Sequence, residues 1–202
     1  MINTFGDSHS KKGYKNITDI SLNLHHIGPI LSYSFGNENL NRINISDVVY
    51  NVKENDYVIF CLGEIDCRCH IYKHISLNND YKKIISNITD KYIEAVNINK
   101  NLFKNIKVGI MSVVPPVDSS KIANNPKFPF LGTNEERIKY TKYFNKCLHK
   151  LCLKNNIIFI DIYDKYSNHT GLFNDELKDK NVHIKNPIYL REELIKKFNL
   201  KI

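Results

Sequence analysis

Ser8 and His183 stand near opposite ends of the 202-residue chain, and their residue types suit nucleophilic chemistry. Ser8 lies in Phe5-Gly6-Asp7-Ser8-His9, behind the apolar start Met1-Ile2. A serine hydroxyl is a weak nucleophile until a base takes its proton. His183 is the candidate base. Asp179, four residues earlier in Asp179-Lys180-Asn181-Val182-His183, is the candidate to hold the imidazole in one tautomer and stabilise its charged form. A serine just past a first strand can project from the carboxyl edge of a sheet. Where a helix starts there, backbone N–H groups favour negative charge. The simpler reading of the spacing alone is a Gly-Asp-Ser turn that caps a helix, with His183 a surface histidine.

Two further clusters carry polar chemistry. Glu64, Asp66 and Arg68 follow a strongly apolar run and could shape a pocket or merely pair with one another. Cys67, Cys69, His70 and His74 have zinc-type donors, but they occupy one short stretch where structural sites usually pair two separated knuckles. Packed thiols are therefore the expectation, with no metal and no cofactor. No phosphate-loop, dinucleotide or HExxH pattern is present.

These residues need a frame to bring them together. Apolar runs at 1–5, 57–62, 107–114 and 157–162 predict buried strands, the third stopped by Pro115-Pro116. A further strand is expected within 19–34. Between them, Ile85, Ile88, Tyr92 and Val96 recur at helical spacing in a segment from about Asp80 to Phe103. Thr133 and Glu136 form a capping-box pattern ahead of a stripe of Ile138, Thr141, Phe144, Leu148 and Leu151. Asn186-Pro187 starts a last helix, with Leu190, Leu194 and Phe198 on its apolar face. Strands alternating with helices predict an α/β fold on a parallel sheet. Residues 115–132 read as a long loop beyond a strand end, the edge where such sheets bind ligands.

Bulk properties set bounds. The length suits one domain, 1–202, with a single sizeable core. The formal charge is +8, but the lysines are spread along the chain with no compact basic block. A solvated surface is expected, and no nucleic-acid partner. No run is long and apolar enough to span a bilayer, so no membrane partner is expected. Five irregularly spaced cysteines, with no secretory signal, read as reduced thiols in the cytoplasm.

Taken in order, Phe5 to His9, Gly63-Glu64-Ile65-Asp66 and Asp179 to His183 resemble sequence blocks of the SGNH, or GDSL, hydrolases. The resemblance spans nearly the whole chain. It is strongest to a cytosolic branch with GDSH, GEIDCR and DxNVH segments, here residues 6–9, 63–68 and 179–183. It implies a flavodoxin-like three-layer α/β/α sandwich with a mainly five-stranded parallel sheet. It also implies a serine-dependent acyl ester hydrolase with Ser8, His183 and Asp179 as its triad. The implied substrate is a small-molecule or glycan acyl ester, in this branch an acetylated carbohydrate. A sugar O-acyltransferase would use the same triad, and a non-catalytic carbohydrate-binding domain would use the fold alone.

The implied oxyanion hole takes the Ser8 N–H, a glycine from a second block and an asparagine from the third. Gly28, in His25-His26-Ile27-Gly28-Pro29, is the first candidate for that glycine, and Gly36 the second. Asp7, His9, Gly63, Glu64, Asp66 and Arg68 complete the candidate oxyanion and substrate-binding set. His25 and His26 are expected to be packed or solvated. Two departures stand out. Ile65 occupies the asparagine position and cannot donate, so Arg68 is the candidate substitute. The family's acid lies three residues before its histidine, where this chain has Lys180; Asp179 is preferred, with Asp175 as the alternative.

Overall fold

Alternation inside the apolar runs decides the architecture. Along Tyr57–Cys61, Val58 and Phe60 join one buried cluster while Ile59 and Cys61 join another. A strand buried on both faces needs cover on both sides. The computed structural model, which describes residues 1–123 and 125–201, supplies it.

The order is β1 (Ile2–Gly6), α1 (His9–Lys12), β2 (Leu22–His26), α2 (Ser32–Glu38), β3 (Tyr57–Cys61) and α3 (Ile71–Lys73). Then follow α4 (Tyr81–Lys100), β4 (Lys107–Met111), α5 (Asn134–Lys154), β5 (Ile158–Ile160), α6 (Tyr163–Tyr166) and α7 (Ile188–Phe198). The sheet is five-stranded in the order β2-β1-β3-β4-β5, and every pairing is parallel. Phe35 of α2, Ile85 and Tyr92 of α4 and Phe144 of α5 cover one face. Tyr14 behind α1, with Leu190, Leu194 and Phe198 of α7, covers the other. The expected three-layer, flavodoxin-like sandwich is therefore present. In this strand order the chain reverses direction across the sheet between β1 and β3, and ligand crevices open at the carboxyl ends of those two strands. Ser8 lies two residues beyond β1, and Gly63 two beyond β3.

Local chemistry trims the elements. The ladder of β4 stops at Met111, before the expected end, because the Asn145 side chain takes over Val113: Val113 N donates to Oδ1 at 2.8 Å and Nδ2 donates to Val113 O at 2.9 Å. Asp80 caps α4 by accepting from Lys83 N, and Thr133 and Glu136 make the expected capping box on α5. The buried stripe of α5 is rotated from the expected one. Ile138 and Leu151 lie at its margin, while Arg137 and Tyr140 are inside. Pro187 is the N-cap of α7. α2 carried no clear periodic signal. It packs closely on α4 at Gly36, where a Cβ would stand 2.9 Å from Lys91 Cβ. No helix among the described residues is long and apolar enough to cross a membrane.

Candidate active site

Ser8 is the N-cap residue of α1, yet its side chain makes no cap hydrogen bond. Its Oγ lies 2.8 Å from His183 Nε2 across 175 residues of sequence. His183 Nδ1 lies 3.0 Å from Asp179 Oδ2. An ionised carboxylate only accepts, so Asp179 assigns the proton to Nδ1 and leaves the Nε2 lone pair facing the hydroxyl. The simpler reading, a capping serine and a surface histidine, does not describe this geometry. Ser8 is half-buried and His183 is buried.

The loop around Asp179 absorbs its four-residue spacing. Asp179 N donates to His183 O at 2.8 Å, closing the turn. Asp179 Oδ1 accepts from Asn181 N at 2.7 Å and His183 N at 3.1 Å. Lys180 and Asn181 are left exposed at the tip. Asp175, the alternative acid, is instead paired with Lys121 at 2.8 Å and Lys178 at 3.3 Å. Burial pulls the His183 imidazole below its usual range, with Asp179 opposing. Burial pushes the Asp179 carboxyl up, but the hydrogen bonds from His183 and Asn181 outweigh it and hold the carboxyl low.

Around this chain the other candidates divide. Gly28 follows the end of the β1–β2 ladder, where Ile27 N donates to Gly6 O. Its φ of +112° is one that side-chain-bearing residues rarely adopt, and a Cβ there would meet nothing within 4 Å. Neither the Ser8 nor the Gly28 N–H is spent on a backbone acceptor among the described residues. Gly36 lies inside the α2–α4 contact, so the structure excludes it as an oxyanion glycine. Gly63 packs under Val113 and Phe144. Ile65 is buried and offers no donor; its carbonyl accepts from the Cys69 thiol at 3.2 Å.

The expected Glu64–Asp66–Arg68 network is split. Glu64 and Arg68 pair, with Nη2 3.0 Å from Oε2 and Nε 2.8 Å from Oε1. Asp66 turns away to the start of α2, accepting from Ser32 N at 2.8 Å and Tyr33 N at 3.1 Å. Those N–H groups lack helical partners, which is why a buried carboxylate is tolerated there. Burial still pushes Asp66 up to about 6. Arg68 Nη1 donates to Phe128 O at 2.8 Å, so its head group is engaged by Glu64 and the loop. Asp7 and His9 flank Ser8 and are both buried.

His25 stacks on Phe5 with ring centroids 4.5 Å apart, and His26 is exposed. Cys67 and Cys69 are buried thiols pushed up by burial, and the His70 and His74 rings lie 4.4 Å apart. No group of three metal-type ligands occurs among the described residues.

Sequence patterning missed Arg137. It is 1% exposed and donates to the carbonyls of Leu131 and Gly132 at 3.2 and 2.7 Å. The centroid of the Phe130 ring lies 5.5 Å from its guanidinium and 5.3 Å from that of Arg68. The two arginines fix the loop beyond β4 at the carboxyl edge. Arginine ordinarily faces solvent on a helix, and only the place of Arg137 directly after the capping box sets it apart in the sequence.

No family model and no curated protein matches the sequence. Solved structures do match. A Bacteroides fragilis protein described provisionally as an acylhydrolase is 14% identical, with TM-score 0.64 over 98% of this chain and 86% of that one. A GDSL-like lipase from Bacteroides thetaiotaomicron is 15% identical, with TM-score 0.59 over 98% and 86%. A catalytic mutant of an acetylxylan esterase from Geobacillus stearothermophilus is 12% identical, with TM-score 0.61 over 99% and 94%. Likeness at these identities is likeness of fold. The chain has the α/β/α fold of the GDSL, or SGNH, hydrolases, as its three sequence blocks implied.

Proposed function

We propose that this protein is a serine-dependent hydrolase of acyl esters. The observation that carries the reading is the continuous chain from Ser8 Oγ through His183 to Asp179, at 2.8 and 3.0 Å. Ser8 attacks the ester carbonyl as His183 Nε2 takes its proton. Asp179 holds the ring and stabilises the imidazolium. The oxyanion that forms is met by the N–H groups of Ser8 and Gly28. His183 then protonates the leaving alcohol, and a water activated by the same histidine releases the acyl group and restores Ser8.

The alcohol portion is read as a carbohydrate and the acyl group as acetyl. A groove of about 460 Å³, lined by Tyr33, His70, His74, Asn79, Lys83 and Asn87 with Ile84 and Ile88, sets hydroxyl, amide and imidazole groups beside an apolar wall, which suits a sugar. Its residues come from the starts of α2 and α4 and from the segment behind β3, all at the carboxyl side of the sheet. His70, pushed down to about 4 by burial, is neutral near pH 7. The acetylxylan esterase among the structural neighbours supports the same substrate class. The spread of the lysines favours no nucleic-acid partner, and the free cysteines favour the cytoplasm.

Fluorophosphonate labelling with peptide mapping tests the reading. A single adduct on Ser8, lost in Ser8→Ala and weakened in His183→Ala, is expected. No adduct on folded wild-type protein would sink the activated serine and favour a carbohydrate-binding domain. Transfer of acetyl to an added sugar in preference to water would convert the hydrolase into an acyltransferase.

A further inference from the structure

The residues on either side of Ser8 form a second polar cluster that takes no part in the proposed proton transfers. Asp7 and His9 are 1% and 4% exposed. The His9 ring lies beside the His183 ring, with centroids 4.9 Å apart and planes tilted by 46°. The His9 N–H donates to Asp7 Oδ1 at 2.8 Å. The other two heads of the pair, Asp7 Oδ2 and His9 Nε2, are buried and have no hydrogen-bond partner among the described residues. Folded proteins rarely leave such atoms unmatched. Asp7 and His9 line one small cavity of about 10 Å³, with Glu64 and Ser112 also on its wall. That is about the room one water needs, and the wall offers the polar partners it requires. Glu64 Oε2 stands 3.9 Å from His9 Nε2, too far for a direct hydrogen bond.

We propose that one water is bound between Asp7, His9 and Glu64, and that through this cluster His9 acts as a positioning residue for His183. The second half rests on the reading of His183 as the general base. The water accepts the His9 Nε2–H and donates to the Glu64 carboxylate, which Arg68 holds in place. Burial pushes the Asp7 carboxyl well above its usual range, which suits it to donate its proton to the same water. His9 is thereby fixed in one tautomer and one orientation, as a rigid wall beside the imidazole that must stay between Asp179 and Ser8.

The cluster also bears on charge. His183 faces Asp179 on its own loop, Lys12 and His9 from the α1 segment and Arg68 from the turn after β3. Lys12 and Arg68 both oppose a proton on His183. The polar His9 ring is part of what surrounds that imidazolium, so an apolar ring in its place deepens the burial that already lowers His183.

Two measurements test the proposal. A high-resolution crystal structure of the wild type is expected to show an ordered water within hydrogen-bond reach of Asp7 Oδ2 and His9 Nε2. A dry cavity overturns the water. His9→Phe keeps an aromatic ring but has no Nε2. With 4-nitrophenyl acetate as probe, its kcat is expected to fall about 10- to 100-fold with KM unchanged, and the acid limb of its pH profile to move to lower pH. Wild-type kcat and an unmoved acid limb in a folded His9→Phe, judged by far-UV circular dichroism, overturn the positioning role. The water is read without any substrate, so it stands or falls apart from the triad. Failure of wild-type Ser8 to label removes the general base while leaving the crystallographic result intact.

Discussion

At the scale of single residues, the question is which acid serves His183. Asp179 has one oxygen on Nδ1 and the other on two backbone N–H groups, so its position is determined three times over. Asp175 is held by lysines at the surface. Asp179→Ala is expected to lower kcat/KM by on the order of 10⁴-fold, while Asp175→Ala stays near the wild-type value. Equal losses in the two variants would reassign the acid. The pH dependence has a definite sign. The proposed reaction needs a neutral His183, and burial lowers its pKa below the usual value of about 6.5. Activity should therefore persist below about pH 6.5 and fall only as the pH drops through that lowered value. An acid limb above about 6.5 in kcat/KM would contradict the burial argument. In the proposed oxyanion hole Ile65 has no polar head to add to the Ser8 and Gly28 N–H groups. Loss of one donor elsewhere costs about 10²- to 10³-fold, which points to a modest turnover.

Among the elements, the polar residues after β3 serve as fasteners. Asp66 was expected either to shape the pocket or to pair with Glu64 and Arg68, and only the latter two pair with each other. Asp66 points instead to the start of α2, a short helix whose first N–H groups would otherwise be buried without partners. Asp66→Ala is expected to lower stability by about 1–3 kcal/mol in urea unfolding, because one buried and one part-buried donor lose their acceptor. An unchanged midpoint would mean that water replaces the carboxylate freely. The arginines do similar work: Arg68 and Arg137 hold the carbonyls of 128–132 and flank Phe130, so the loop beyond β4 is tied to the turn beyond β3 and to α5. Helix ends with strong caps were legible from Asp80 and Thr133 onward. α2 was not, because it is only seven residues long and its place depends on Gly36 meeting α4 and on Asp66 meeting its N-terminus.

For the whole molecule, the site exists only when the sheet does. Ser8 leaves the interior strand β1, and His183 returns from beyond the far edge strand β5 after 175 residues. Both apolar layers share that one sheet. Loss of far-UV signal and loss of Ser8 labelling in urea are therefore expected to coincide in one transition. Labelling that vanishes well before the secondary structure would mean that the His183 loop unfolds as a separate unit. Short apolar runs, the capping box and the positions of Ser8, Asp179 and His183 are local properties of the chain. Local chemistry suffices to write them into the sequence, and the strands, the main helices and the candidate triad could be read there. Which oxygen of which carboxylate meets which donor is not local. Asp66 at the start of α2, Asp179 rather than Asp175 at His183, Gly36 as a helix contact and Arg137 in the interior were decided by tertiary structure. The physical reason is that a polar group's partner is chosen by distance and burial in three dimensions, and neither is a function of spacing along the chain.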